Sequence, residues 1–286
     1  MNVYSYTDAE IGITKSKGQV MGMSMSIAAS VPAGMRSEVA ESEKLIVSLA
    51  SGSEEIEQAL RLRYRVFVQE EGNHRLMHAS GLERDEFDER CDHLIVKSDR
   101  TDAVVGTYRL LPGSRTGAGL GFYSETEFEL GNAAALRPRI LELGRSCVDP
   151  AYRDGRVISR LWEGIAGYAQ EHGYRYLMGC ASIHPQSLVE LNEIYSLLIA
   201  RQVITTRYGI HPLASHAIKG LQWLEVEGRE REIIRKLPPL MKGYQWLGAE
   251  IGGDPAYDAV FDTVDFLIML ETDKVSRRYK RHFLDA

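Results

Sequence analysis

The stretch ILELGRSCVDPAYRDGRVISRLWEGIAGYAQEHGYRYLMGCA, residues 140–181 of a 286-residue chain, reads as one folding unit. Ile140 to Val148 is an extended, mostly apolar run, and Asp149-Pro150 breaks it. A helix is predicted from about Arg156 to His172, and Tyr174 to Ala181 reads as the next strand. Strand, turn, helix and strand within about 40 residues make a βαβ-like unit, and so a mixed α/β domain. The first strand carries Glu142 and Arg145, each costly to bury without a partner. Strict alternation puts them on opposite faces. A bulge at Gly144 would change that and leave backbone N–H groups free, since a glycine inside a strand often marks one. The plainer alternative is a Glu–Arg pair that only ties the sheet together.

Upstream, His93–Lys97 and Ala103–Leu111 form a predicted hairpin across the turn-rich residues 98–102. Ser51 and Glu54, in capping-box spacing, open a helix of about 16 residues with Ile56, Leu60, Tyr64 and Phe67 as its apolar stripe. Between helix and hairpin, residues 81–92 turn acidic, with Glu83, Asp85, Glu86, Asp88, Glu89 and Asp92, and read as a loop. Arg63 shares the helix face of Phe67, and Arg109 stands inside an apolar strand. Each is either an arginine snorkelling from the core edge or a guanidinium meeting a carboxylate, with Asp85, Asp88 and Glu142 as candidate partners. Downstream, helices are predicted at Pro185–Ala200 and Pro238–Leu247, strands near Gln222–Val226 and Ala259–Leu270, and a basic terminal helix from Lys274. One domain over residues 51–286 is expected, with residues 1–50 as a disordered extension.

Composition sets outer bounds. With 44% hydrophobic and 26% charged residues the chain is ordinary globular material, and a net charge of −6 argues against general nucleic-acid binding. Cys91, Cys147 and Cys180 show no Cys-x-x-Cys spacing and suit a reducing compartment, so the cytoplasm is expected. Cys147 reads as a small buried residue rather than an acyl carrier. His74 and His78 have the i, i+4 spacing of metal ligands but no evident third ligand, so no metal is expected. No apolar run approaches the ~18 residues of a spanning helix. The terminal cluster Lys274, Arg277, Arg278, Lys280 and Arg281 reads either as a solvated helix or as a surface for peripheral contact with anionic lipid at the inner membrane face.

The segment Val148 to Leu161 resembles the phosphate loop of the GNAT N-acyltransferases, in which helix N-terminal N–H groups cradle the coenzyme A pyrophosphate. Their usual pattern is Arg/Gln-x-x-Gly-x-Gly/Ala, and Arg156 and Ile158 occupy the two glycine positions here. That departure suits the single phosphate of a 4'-phosphopantetheine arm. Arg153, Arg156 and Arg160 are expected on one helix face where an acidic carrier protein docks, or else form a solvated face.

Six segments in order resemble the ornithine-acyl-carrier-protein N-acyltransferases: Leu62–Phe67, Asp85–Leu94, Val105–Leu111, Gly121–Glu125, Leu141–Val148 and Leu237–Tyr244. The pattern Arg-x-x-x-Phe, Asp-x-x-Asp, a strand arginine and Glu-x-x-Arg is also similar to N-acyl amino acid and acyl-homoserine-lactone synthases. This chain supplies it as Arg63 and Phe67, Asp85 and Asp88, Arg109, and Glu142 and Arg145. The resemblance implies a GNAT-like mixed central sheet flanked by helices, with a C-terminal acyl-binding part. It also implies transfer of a 3-hydroxy fatty acyl group from acyl carrier protein to the α-amino group of L-ornithine, forming lyso-ornithine lipid, with no bound cofactor. Glu142 is then the base and Arg145 its catalytic neighbour. Arg63, Phe67, Asp85, Asp88 and Arg109 bind substrate, with Asp85 and Asp88 as the anionic pocket for the ornithine side chain. The alternatives are the same transfer to another amine, such as glutamine, or a lactone-synthase-like activity.

Overall fold

Long apolar runs at Val104–Pro112 and Thr263–Glu271 are buried along almost their whole length, which makes them interior strands covered on both faces. The computed structural model describes residues 43–117 and 119–274. The strands are β1 (Leu45–Leu49), β2 (Asp92–Ser98), β3 (Val104–Pro112), β4 (Phe128–Glu129), β5 (Ile140–Val148), β6 (Tyr176–Ile183), β7 (His211–Pro212), β8 (Glu250–Ile251), β9 (Ala256–Asp258) and β10 (Thr263–Glu271). The main sheet runs β1-β2-β3-β5-β6-β10-β8, β9 pairs with β10, and β4 pairs separately with β7. Among the described residues the α-helices are α1 (Ser53–Arg63), α2 (Arg156–His172), α3 (Leu188–Ala200), α4 (Glu230–Lys236) and α5 (Pro239–Leu247), and Tyr64–Glu70 continues α1 as a π-helical turn.

Within the main sheet β5 and β6 are parallel, and they pair only through Ile140–Glu142 and Tyr176–Met178 before the ladder stops. Gly179 follows the last paired residue of β6. A Cβ there would lie 2.3 Å from the Leu143 carbonyl oxygen, so the close approach of the two backbones requires glycine. α2 turns Val157, Leu161, Trp162, Ile165, Tyr168 and Ala169 to the core, a stripe at helical period. Burial of Val157, Leu161 and Ile165 contributes about 1.5–3 kcal/mol apiece. Gly173 ends α2 in the left-handed conformation, with φ 71°. Trp162 and Tyr244 fill the gap beyond the β5–β6 ladder, leaving a cavity of only about 10 Å³.

The mixed sheet, the 92–112 hairpin, β5, α2 and α5 lie where the sequence places them. Other elements differ. Leu45–Leu49, expected within a disordered extension, is a strand paired with β2 from Leu45↔Ser98 to Leu49↔Leu94. Five residues are too few for periodicity to distinguish an edge strand from coil. The Ser51 cap is offset, because its N–H and hydroxyl meet Glu55 rather than Glu54. α3 starts at Leu188, where the Ser187 hydroxyl accepts from the Glu190 N–H, and not at Pro185. No strand forms at 222–226, because the N–H groups of Gln222 and Leu224 donate to Asn192 and Ser196 of α3 instead of to a sheet. The strand expected from Ala259 begins at Thr263, and α4 was not foreseen. Residues 1–42, and the basic cluster beyond Lys274, lie outside the described residues. Among the described residues no helix is long and apolar enough to cross a membrane.

Candidate active site

β5 is bulged opposite Tyr108. Thr107 pairs with Cys147 and Arg109 with Gly144, so Arg145 and Ser146 oppose one residue of β3. The left-handed residue of the bulge is Arg145, with φ 52°, and not the glycine before it. A non-glycine residue pays about 1–2 kcal/mol for that conformation, and the contacts of the guanidinium hold it there. The bulge brings Glu142 and Arg145 to one side, since both reach Tyr123. The Glu142 carboxylate accepts from the Tyr123 N–H at 2.7 Å, the Ser124 N–H at 2.8 Å and the Ser124 hydroxyl at 2.6 Å. The Arg145 guanidinium stacks 4.5 Å from the centre of the Tyr123 ring and 4.6 Å from that of Phe261.

Three arginines and three carboxylates interlock beneath this turn. Arg63, fully buried at the end of α1, grips Asp88 with Nη1 at 2.6 Å and Nη2 at 3.1 Å and also bonds Glu83. Arg109 Nη1 lies 2.5 Å from Asp85 Oδ1 and 3.3 Å from Asp88 Oδ1. Arg145 completes the ring with Nε 3.1 Å from Glu83 and Nη2 2.8 Å from Asp85. Burial alone would raise the pKa of Asp88 and Asp85. The adjacent guanidiniums, Arg63 and Arg109 at Asp88 and Arg109 and Arg145 at Asp85, outweigh it and hold both carboxyls below their ordinary range. Phe67 joins only through an edge contact with Phe261, ring centres 5.8 Å apart. The strand arginines therefore do meet carboxylates, but Arg63 meets Glu83 and Asp88. Glu83 was not among the partners expected from sequence.

This balance bears on the anionic pocket expected from sequence. Asp85 and Asp88 are already neutralised by arginines. Two buried carboxyls without an arginine partner, Glu127 and Asp258, stand next to them in the wall of a cleft of about 410 Å³ that Asp85, Tyr123, Arg145 and Arg84 also line. Glu127 is only 2% exposed, and neither of its carboxylate oxygens has a hydrogen-bond partner. Burial, reinforced by Asp265 and Asp258, pushes its pKa up to about 9. Burial is also the main reason that Asp265 rises to about 6. The carboxyl of Glu142 is raised by burial and partly restored by its bonds to Ser124 and Tyr123. It does not line the cleft and reaches it through the turn it holds.

Known proteins share this arrangement of chain. Residues 62–163 match the family described as acetyltransferase (GNAT) domain. The chain is 34% identical over 249 residues to the L-ornithine N(alpha)-acyltransferase of Brucella abortus, covering 84% of this chain and 88% of that one. It is 36% identical over 248 residues to the enzyme of that name from Rhizobium meliloti, covering 82% of each. This chain belongs to the L-ornithine N(alpha)-acyltransferase family. Among solved structures, a CoA-dependent acyl-homoserine lactone synthase has a similar fold, with a TM-score of 0.50 and 17% identity over 85% of this chain and 89% of that one.

In this acyltransferase the three arginines read as a carrier face do not form one face. Arg153 precedes α2, bonds the Val148 carbonyl at 3.0 Å and pairs with Glu70. Arg156 and Arg160 lie in the first turns of α2, paired with Asp154 at 2.8 Å and with Glu163 at 2.7 Å. His74 and His78 share no helix, the first lying in a single 3-10 turn and the second bonding Ser80 at 2.7 Å. Among the described residues, Glu127, Cys180 and Asp265 bring ligand atoms within 4.8 Å of one another, close enough to hold a metal ion. Glu127 and Asp258 escaped the sequence reading because each stands in a segment without period or motif. Only their spatial neighbours single them out.

Proposed function

We propose that this acyltransferase moves a fatty acyl group from the phosphopantetheine thioester of acyl carrier protein to the α-amino group of L-ornithine, forming lyso-ornithine lipid. The observation that carries the acceptor is the cleft beside the β5 bulge, where an arginine-locked wall adjoins carboxylates that no guanidinium neutralises. An amino acid with a second ammonium group matches that charge. The relatives named for ornithine acylation support the same acceptor.

The α-amino group is more acidic than a side-chain amine by about two units, so it is the easier of the two ammonium groups to deprotonate near neutral pH. Attack of the neutral amine on the thioester carbon forms the amide C–N bond and breaks the C–S bond, and the proton lost by nitrogen goes to the departing thiolate of the carrier arm. Glu142 acts here as a positioning residue, fixing the Tyr123 turn that walls the cleft. Arg145 holds that wall from the other side, and Arg109 and Arg63 lock Asp85 and Asp88 behind it. The thioester oxygen is stabilised by backbone N–H groups of the bulge, on the edge where the β6 ladder has ended. The carrier docks on the first turns of α2, with Arg156 and Arg160 facing its acidic surface. The acyl chain enters beyond the β5–β6 ladder once Tyr244 on α5 moves aside.

The test incubates purified protein with 3-hydroxyacyl carrier protein and a panel of amino acids, with products read by mass spectrometry. N-acyl-ornithine bears the reading out. N-acyl-glutamine would keep the chemistry and replace the acceptor, and absence of any acyl-amine would overturn the function.

A further inference from the structure

Arg84, Glu86 and His216 also line the cleft, and the buried charged groups in and behind its walls fall into two sets. On one side Arg63, Arg109 and Arg145 meet Glu83, Asp85 and Asp88, three against three. On the other side stand Glu127, Asp258 and Asp265, and their ordinary partners are neutral. Asp258 accepts from the Val260 and Phe261 N–H groups at 2.6 and 3.1 Å and from the Tyr123 hydroxyl at 3.3 Å. Asp265 accepts from the Thr263 hydroxyl at 2.8 Å. Glu127 has no partner for either oxygen, although it is almost wholly buried and forms part of the cleft wall. A buried carboxyl without a donor costs free energy unless a ligand supplies one. The nearest guanidinium is no substitute, because Arg145 is committed to Glu83 and Asp85.

We infer that Glu127, backed by Asp258 and Asp265, is the receptor for the side-chain ammonium of the acceptor amino acid. This rests on the reading of the acceptor as an amino acid with a cationic side chain, and it assigns selection among amino acids to a residue outside the arginine lock. The ammonium offers three N–H donors, enough to satisfy both oxygens of Glu127 once the buried carboxyl gives up its proton to form the ion pair. The α-carboxylate of the same molecule then lies toward the mouth of the cleft, where Arg84 stands exposed with Glu89 at 3.9 Å. Neutral side chains of similar length leave Glu127 unsatisfied and are rejected, because the cost falls on the site rather than on the ligand.

The test compares wild type with Glu127→Gln, for ornithine and for norvaline, its counterpart without the side-chain amine. Burial holds a proton on the empty Glu127, so the amide is close to isosteric with the resting site, and Glu127→Asp serves as the graded second variant. Wild type should favour ornithine. In Glu127→Gln, KM for ornithine should rise about 10- to 100-fold with kcat nearly constant, and KM for norvaline should not rise. A kcat lost equally for both acceptors, or a preference left intact, overturns the receptor role.

Calorimetric titration of ornithine and norvaline without acyl donor separates this inference from the function. Selective ornithine binding lost in Glu127→Gln, in a protein that acylates nothing, keeps the receptor and sinks the reaction. Ornithine turnover whose selectivity ignores Glu127 does the reverse. Turnover abolished by a chelator and restored by zinc would make Glu127, Cys180 and Asp265 a metal site and overturn the proposal.

Discussion

Arg145 Nε lies 3.1 Å from Glu83 Oε1, a contact between residues 62 positions apart that ties the β5 bulge to the acidic loop. Both side chains are buried, at 9% and 2% exposure, and each serves a second partner. The bulge, its left-handed arginine and the cleft wall are thus held by one charge network, and disturbing any member should be felt at the site.

Asp88→Asn tests that network directly. Arg63 is fully buried and would lose its bidentate partner, so unfolding free energy should fall by about 3–5 kcal/mol in denaturant titration. A loss below about 1 kcal/mol would show that the pair is dispensable. Because the native pKa of Asp88 and Asp85 is depressed, their contribution is present above the ordinary carboxylate range and disappears as the pH falls below it. Acid should therefore destabilise wild type more steeply than Asp88→Asn.

Glu142→Gln separates positioning from proton transfer. The amide oxygen still accepts from Ser124, but its NH2 opposes the Tyr123 N–H, so the turn loosens. KM for the acceptor should rise and the pH profile of kcat should keep its shape. A fall in kcat of about 10²–10⁴-fold with loss of the acidic limb would restore Glu142 as the base.

Glu127 gives a pH signature. The groups facing it are Asp258 on β9, Asp265 on β10, Cys180 on β6, Glu142 and Arg145 on β5, and Tyr123. Its pKa is pushed up to about 9, so stability gained from the bound proton is complete below the ordinary carboxylate pKa and declines as pH rises through 9. Glu127→Gln should melt with wild type at pH 4 and several degrees higher at pH 8. If ornithine displaces that proton, KM should fall by up to about tenfold per unit from pH 7 toward 9 in wild type. The variant should lack that component.

Charge reversal on α2 addresses the donor. Arg156→Glu with Arg160→Glu should raise KM for acyl carrier protein about tenfold or more, chiefly at low salt, while leaving kcat near wild type. Unchanged carrier affinity would remove this helix from the docking surface.

Much of the fold was legible because it depends on local order. The period of α2 and the apolar runs of β3 and β5 appear in any short window, and these elements lie within a residue of their expected ends. The edge strand β1 and the segment at 222–226 were not legible. One is defined by pairing with β2 and the other by the side chains of Asn192 and Ser196, neither of which is local information.

For the site, the sequence by itself singled out Arg63, Arg109 and Arg145 as guanidiniums in apolar elements, which either snorkel to the core edge or meet a carboxylate. It also determined that Glu142 and Arg145 belong to one unusual strand. Only the tertiary structure decided who pairs with whom. It spends Glu83, Asp85 and Asp88 on the arginines and leaves Glu127 without a partner beside Asp258 and Asp265. The reason is physical: the charge state and availability of a carboxylate depend on what lies within a few ångströms in space, and folding brings those neighbours from strands far apart in the chain.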